Sequence, residues 1–178
     1  TNSDLRGARF QCSVMSDSVF HGSDLRGVSF NGRTDSSIYN EWRKTVKREG
    51  FGILGELSEL DLSRTDFSGV DLEGSTFGLS TMIAVKFTDA NLKGVIFDAS
   101  DLTEADFSNA ELRGAMFSGV DLTGAVFDGA KLDKNTTFKT VDLSNARLDK
   151  AIIVETNFTD TILCKTMTPW GQDDGGCG

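Results

Sequence analysis

The chain is poor in the residues that most active sites are built from. Among 178 residues it has one His, three Cys, one Tyr and two Trp. General acid–base chemistry and metal ligation lean on His and Cys, and His21 has no Ser or Cys partner at a recognisable spacing. No catalytic constellation is therefore expected, no metal site and no cofactor. A Gly-Lys-Ser/Thr phosphate element is also missing. A single Pro beside 19 Gly excludes a collagen-like chain, and a hydrophobic content of 38% argues against disorder. No apolar run approaches the ~20 residues of a transmembrane helix. Basic residues are in deficit, 18 against 27 acidic ones for a net charge of −9. That balance disfavours direct contact with nucleic-acid phosphates, which requires clustered Lys and Arg.

What the chain does have is a period of five. From Leu57 a bulky apolar residue recurs at every fifth position: Leu57, Leu62, Phe67, Leu72, Phe77, Met82, Phe87, Leu92, Phe97, Leu102, Phe107, Leu112, Phe117, Leu122, Phe127 and Leu132. The register slips by one residue in Lys134-Asn135-Thr136-Thr137 and resumes at Phe138, Leu143, Leu148, Ile153, Phe158 and Leu163. An earlier block supplies Leu5, Phe10, Met15, Phe20, Leu25 and Phe30. Neither a helix of period 3.6 nor a strand of period 2 generates this spacing. Two positions before each bulky residue stands a small or β-branched one, such as Ala90, Ser100, Ala105 or Val120, so both face inward. Two positions after it glycine is frequent, as at Gly69, Gly94 and Gly114, which suits a corner with positive φ.

Ala90-Asn91-Leu92 and Ala105-Asp106-Phe107 resemble the Ala-(Asp/Asn)-Leu-X-X signature of the pentapeptide-repeat family. The resemblance runs through nearly the whole chain except residues 31–54 and the last dozen. It implies an all-β solenoid, a right-handed quadrilateral β-helix with four pentapeptides to a coil and about seven coils in all. Residues 1–163 would form one solenoid interrupted by an insertion at 31–54, and residues 164–178 a C-terminal capping tail. With four sides to a coil, the Leu/Phe alternation places Phe on two opposite sides and Leu on the other two. Leu148 is an exception, standing where Phe is expected.

The residue before each bulky one faces outward. Numbering as side one the side that holds Leu62, its outward column reads Asp61, Thr81, Asp101, Asp121 and Asp142. These acids either bond to local turn backbone or receive a basic partner or cation. Side two reads Asp66, Lys86, Asp106, Val126 and Arg147, and side three Asp71, Asn91, Glu111, Lys131 and Ile152. Side four reads Thr76, Ile96, Met116, Thr137 and Asn157, with Ile96 and Met116 as a small apolar patch.

Within the insertion, residues 36–50 predict an amphipathic helix with Ile38, Trp42 and Val46 on one face and Arg43, Lys44, Lys47 and Arg48 on the other. That helix either packs Trp42 on the solenoid or offers its basic face to a partner. If the Leu/Phe alternation continues through the insertion, Phe51 or Ile53 fills one inward slot.

In the tail, Trp170 is placed to cover the last coil. A disulfide between Cys164 and Cys177 is geometrically reasonable, with Cys12 left over; two free thiols are the alternative. The run Cys164-Lys165-Thr166-Met167-Thr168-Pro169-Trp170-Gly171 with its later Cys is similar to the endings of cyanobacterial and plastid pentapeptide-repeat proteins, several of which reside in the thylakoid lumen. The bridge would imply an oxidising compartment such as that lumen, free thiols a cytoplasmic one.

The expectation is a non-enzymatic, monomeric protein-interaction scaffold with an unknown protein partner. The family resemblance also implies an alternative, a DNA mimic that binds a type II topoisomerase (gyrase) and confers quinolone resistance.

Overall fold

Each five-residue unit buries two side chains and then turns, and four such units close one square coil. The structure, a computed structural model, describes residues 5, 6, 8–11, 29–31 and 60–177. The bulky residues Leu62, Phe67, Leu72, Phe77, Met82, Phe87, Leu92, Phe97, Leu102 and Phe107 have no exposed surface. The small residues Val85, Ala90, Val95, Ala105 and Ala110 are buried beside them.

Strand register follows the four-sided count. On side one, β3 (Leu60–Asp61) pairs in parallel with β5 (Ser80–Thr81). The ladder continues through Thr81, Asp101, Asp121 and Asp142 to the pair of β10 (Val141–Asp142) and β12 (Thr161–Ile162). From Asp61 to Asp142 the chain thus completes four turns. Side two is a run of bridges from Asp66 through Lys86, Asp106, Val126 and Arg147 to Met167. Side three runs from Asp71 to Lys131 and ends in the pair of β8 (Lys131–Leu132) with β11 (Ile152–Ile153).

Side four carries six three-residue strands, β1 (Arg9–Gln11), β2 (Ser29–Asn31), β4 (Thr76–Gly78), β6 (Ile96–Asp98), β7 (Met116–Ser118) and β9 (Thr137–Lys139), in one parallel sheet of that order. Its register corrects one expectation. Phe77 pairs with Phe30, so the position beneath Phe77 that the count of five assigns to Leu57 belongs to Phe30. The coil between these two phenylalanines contains Leu62, Phe67 and Leu72; Phe51 and Ile53 lie outside the described residues. Counting by five fails here because an insertion of arbitrary length resets the phase. The helix expected at 36–50, with Trp42, Arg43, Lys44, Lys47 and Arg48, lies outside the described residues, as do Cys12 and His21.

The aromatic core is two columns that interlock. On side two, Phe67, Phe87, Phe107 and Phe127 stack with centroids 4.9–5.4 Å apart. On side four, Phe77, Phe97, Phe117, Phe138 and Phe158 stack at 4.8–5.1 Å. Rings of the two columns meet edge to face across the core, as in Phe87 with Phe97 at 5.7 Å. Offset stacking and edge contacts are both favourable for the ring quadrupole. Leu148 is buried above Phe127 and ends the side-two column one ring early.

The corner two residues after most of the bulky side chains has positive φ, from 62° to 72° at Gly69, Gly94, Gly114 and Gly129. At Gly114 an added Cβ would lie 3.8 Å from the Gly94 nitrogen, an ordinary contact, so the positive φ and not a lack of room favours glycine there. The same corner is held at 52–59° by Leu79, Ala84, Ala99, Glu104, Asn109 and Thr140. Stacking of the coils imposes this conformation, and glycine is its least strained occupant.

The one-residue slip is absorbed by a carboxylate. Asp133 Oδ1 accepts the N–H groups of Gly114, Asn135 and Thr136 at 3.0–3.1 Å. The Gly94 N–H, one coil earlier, donates to a backbone carbonyl, that of Arg113, so a side chain here replaces a displaced peptide group. Desolvation would raise the Asp133 pKa, but the N–H donors of Gly114, Asn135 and Thr136 outweigh it and hold the carboxyl below its ordinary range.

Candidate functional site

The outward columns form the lateral surface of the solenoid, and the four sides differ in how their charges are satisfied. On side three, Glu111 pairs with Lys131 and lies 3.4 Å from Arg113. The hydrogen bond from Lys131 is the main reason its carboxyl is held below the ordinary range. Asn91 Nδ2 donates to Asp71 Oδ1 at 3.0 Å. On side two, Arg147 and Lys150 both reach Asp128, at 3.0 and 3.2 Å. These sides neutralise themselves.

Side one does not. Asp61, Asp101, Asp121 and Asp142 come into one column with Thr81. Each acid accepts the N–H of the residue two positions on: Ser63, Thr103, Thr123 and Ser144, at 2.8–3.0 Å. This is an Asx turn that fixes the corner. It employs one oxygen of each carboxylate, and among the described residues no Lys or Arg pairs with Asp101, Asp121 or Asp142. Burial pushes the Asp121 carboxyl above its ordinary range; the Thr123 hydrogen bonds oppose this, and the charges of Asp101 and Asp142 add to it. No group of three or more His, Cys, Asp or Glu among the described residues is arranged to hold a metal, and no helix there is long and apolar enough to cross a membrane. On side four, Met116 is exposed and Ile96 half-buried.

At the C-terminal end Cys164 and Cys177 are joined by a disulfide. The tail folds back as an antiparallel hairpin of β13 (Thr166–Thr168) and β14 (Gly171–Asp173). On side two the Leu148 N–H donates to the Met167 carbonyl at 2.6 Å, and on side one the Leu163 N–H donates to the Gly175 carbonyl at 2.7 Å. Trp170 packs edge-on against Phe158, centroids 6.1 Å apart, yet is 61% exposed. Sequence reasoning missed which sides the tail covers, because nothing in the run of residues 164–178 has the period that locates the other units.

The sequence matches two family models, a pentapeptide repeat region over residues 60–136 and pentapeptide repeats in eight copies over residues 1–32. The chain belongs to the pentapeptide-repeat family. Its relatives of known structure include a pentapeptide repeat protein from the Arabidopsis thaliana thylakoid lumen, 38% identical over 57% of this chain and 74% of that one, with a TM-score of 0.34. QnrB1, a plasmid-mediated fluoroquinolone resistance protein, is 18% identical over 89% of this chain and 83% of that one, with a TM-score of 0.39. A pentapeptide repeat protein from the cyanobacterium Cyanothece 51142 is 20% identical over 89% of each chain, with a TM-score of 0.36. No curated protein matches the chain.

Proposed function

We propose that this pentapeptide-repeat protein is a non-enzymatic scaffold that binds a basic protein partner along side one, in an oxidising compartment such as the thylakoid lumen. The observation that carries the reading is the contrast between sides: the carboxylates of Asp101, Asp121 and Asp142 lack the cationic partners found on sides two and three. Stacked like charges repel, and a basic partner relieves that repulsion. The disulfide supports the compartment. Arg43, Lys44, Lys47 and Arg48 belong to the proposal as a second contact.

Affinity capture tests it with three baits: the intact protein, a variant lacking residues 34–52, and the triple variant Asp101→Asn, Asp121→Asn, Asp142→Asn. Asn keeps the turn acceptor, as Asn91 does towards the Lys93 N–H, while removing the charge. A partner retained equally by all three removes side one and the insertion from the interface. Mass spectrometry without reductant tests the compartment, since free thiols at both Cys164 and Cys177 contradict it.

The net charge of −9 and the acidic side one also suit a mimic of DNA acting on a type II topoisomerase. Lys86, Lys131 and Arg147 interrupt the other acidic columns, so no continuous phosphate-like surface extends around the rod. A gyrase supercoiling assay, with and without quinolone, is expected to show no effect.

A further inference from the structure

Among the described residues the C-terminal end of the rod is only half covered. Towards each following coil, side three presents a repeating set of backbone groups. The Leu72, Leu92 and Leu112 N–H groups donate to Asn91, Glu111 and Lys131, and the Ala90, Ala110 and Ala130 carbonyls accept from Glu111, Lys131 and Ile152. The next members of these series, the Ile153 N–H and the Ala151 carbonyl, have no partner among the described residues. On side four the Ser75, Val95 and Ala115 carbonyls accept from Ile96, Met116 and Thr137, while the Phe158 N–H and the Thr156 carbonyl have no partner among the described residues. The edge is nonetheless regular, since Glu155 and Asp160 turn its corners at φ 55° and 56° like the interior ones.

The backbone hydrogen bonds of the hairpin and of the segment through Cys177 fall on sides one and two, and the Trp170 ring alone reaches Phe158 on side four, which excludes a second whole rod as the occupant. Room remains for one extended strand spanning two sides. Its inward apolar residues would meet Ile153, Phe158 and the exposed indole of Trp170. Charge defines it further: residues 151–177 contain Glu155, Asp160, Asp173 and Asp174 against Lys165 alone. Among the described residues none of these acids is in an ion pair.

We propose that this open edge is a strand-addition site for a single extended segment of a partner protein, apolar at the positions facing Ile153 and Phe158 and basic at its ends. Unpaired edge groups are the template for such addition. The site is distinct from side one, so the capture experiment above and the test below fail independently.

The probe is a synthetic peptide copying Ala110–Gly119, which spans sides three and four of an interior coil, with two lysines added at each end. Amide exchange followed by NMR on the intact oxidised protein is expected to slow at Ile153 and Phe158 by about tenfold or more at saturating peptide. A control peptide with proline in place of Glu111 and Met116 lacks the two donors aimed at the Ala151 and Thr156 carbonyls, and is expected to give no protection. Glutamates in place of the terminal lysines are expected to weaken binding by about tenfold, and the double variant Glu155→Lys, Asp160→Lys to reverse that preference. Unchanged exchange at millimolar peptide overturns the proposal. So does equal protection by the proline peptide, indifference to the terminal charge, or loss of protection at Leu163, which would mean that the tail had been displaced instead.

Discussion

Thr140 is the most strained residue of the corner series. A β-branched side chain at φ 54° places Cβ against the neighbouring peptide, a conformation that disfavours L-residues by roughly 1–2 kcal/mol. Thr140→Gly is expected to raise stability by about 1 kcal/mol, less the extra chain entropy of glycine in the unfolded state; denaturant unfolding measures it. Asp121 is the second test at this scale. Its folded pKa lies above the ordinary value, so the native state holds the proton more tightly than the unfolded chain. The stability this gives is fully present below the unfolded pKa and is lost as pH rises through the folded one. Asp121→Asn is therefore expected to stabilise the protein at pH 7 by roughly 0.2–1 kcal/mol, with the gain vanishing near pH 3 in thermal melts. At both residues the sequence marks the position, a corner or an outward column, while the strain or repulsion arises from the coils above and below.

Among the elements, the corner at Asp133 has the opposite sign. Its folded pKa is depressed, so its contribution is present above the unfolded aspartate value of about 3.9 and is lost as pH falls through the folded pKa. Asp133→Ala leaves the Gly114 and Asn135 N–H groups without their acceptor and is expected to destabilise by about 1–3 kcal/mol at pH 7. The difference from wild type should shrink as both proteins are titrated towards pH 3. The one-residue slip was legible in the sequence as a break in the period. Its solution was not, because the carboxylate replaces a carbonyl nineteen positions away from its partner. The Phe columns were legible in full, since a four-sided coil and strict alternation leave rings no other neighbour, and Leu148 was visible as their interruption.

For the whole molecule, the disulfide and hairpin decide how the rod ends. A bridge across 13 residues is expected to contribute about 3 kcal/mol by restricting the unfolded chain, so reductant should lower the unfolding midpoint. If Cys164→Ser, Cys177→Ser melts like the oxidised wild type, the tail hydrogen bonds alone hold the cap. Repeat stability is transmitted between neighbouring coils, so this effect should be largest for the last coil and fade towards the interior.

A period of five, small residues at fixed offsets and an alternation of Leu with Phe determined by themselves the four-sided coil, the inward and outward positions and the composition of each outward column. These follow from local geometry repeated in register, which the order of residues carries directly. Only the tertiary structure decided that Phe30 rather than Leu57 lies beneath Phe77, that the side-one acids brace their own turns, and that the tail covers two sides and leaves two open. Each of those depends on contacts between segments whose separation no period measures: an insertion of free length, a carboxylate choosing between two kinds of partner, and a tail without repeats settling where its hydrogen bonds are met.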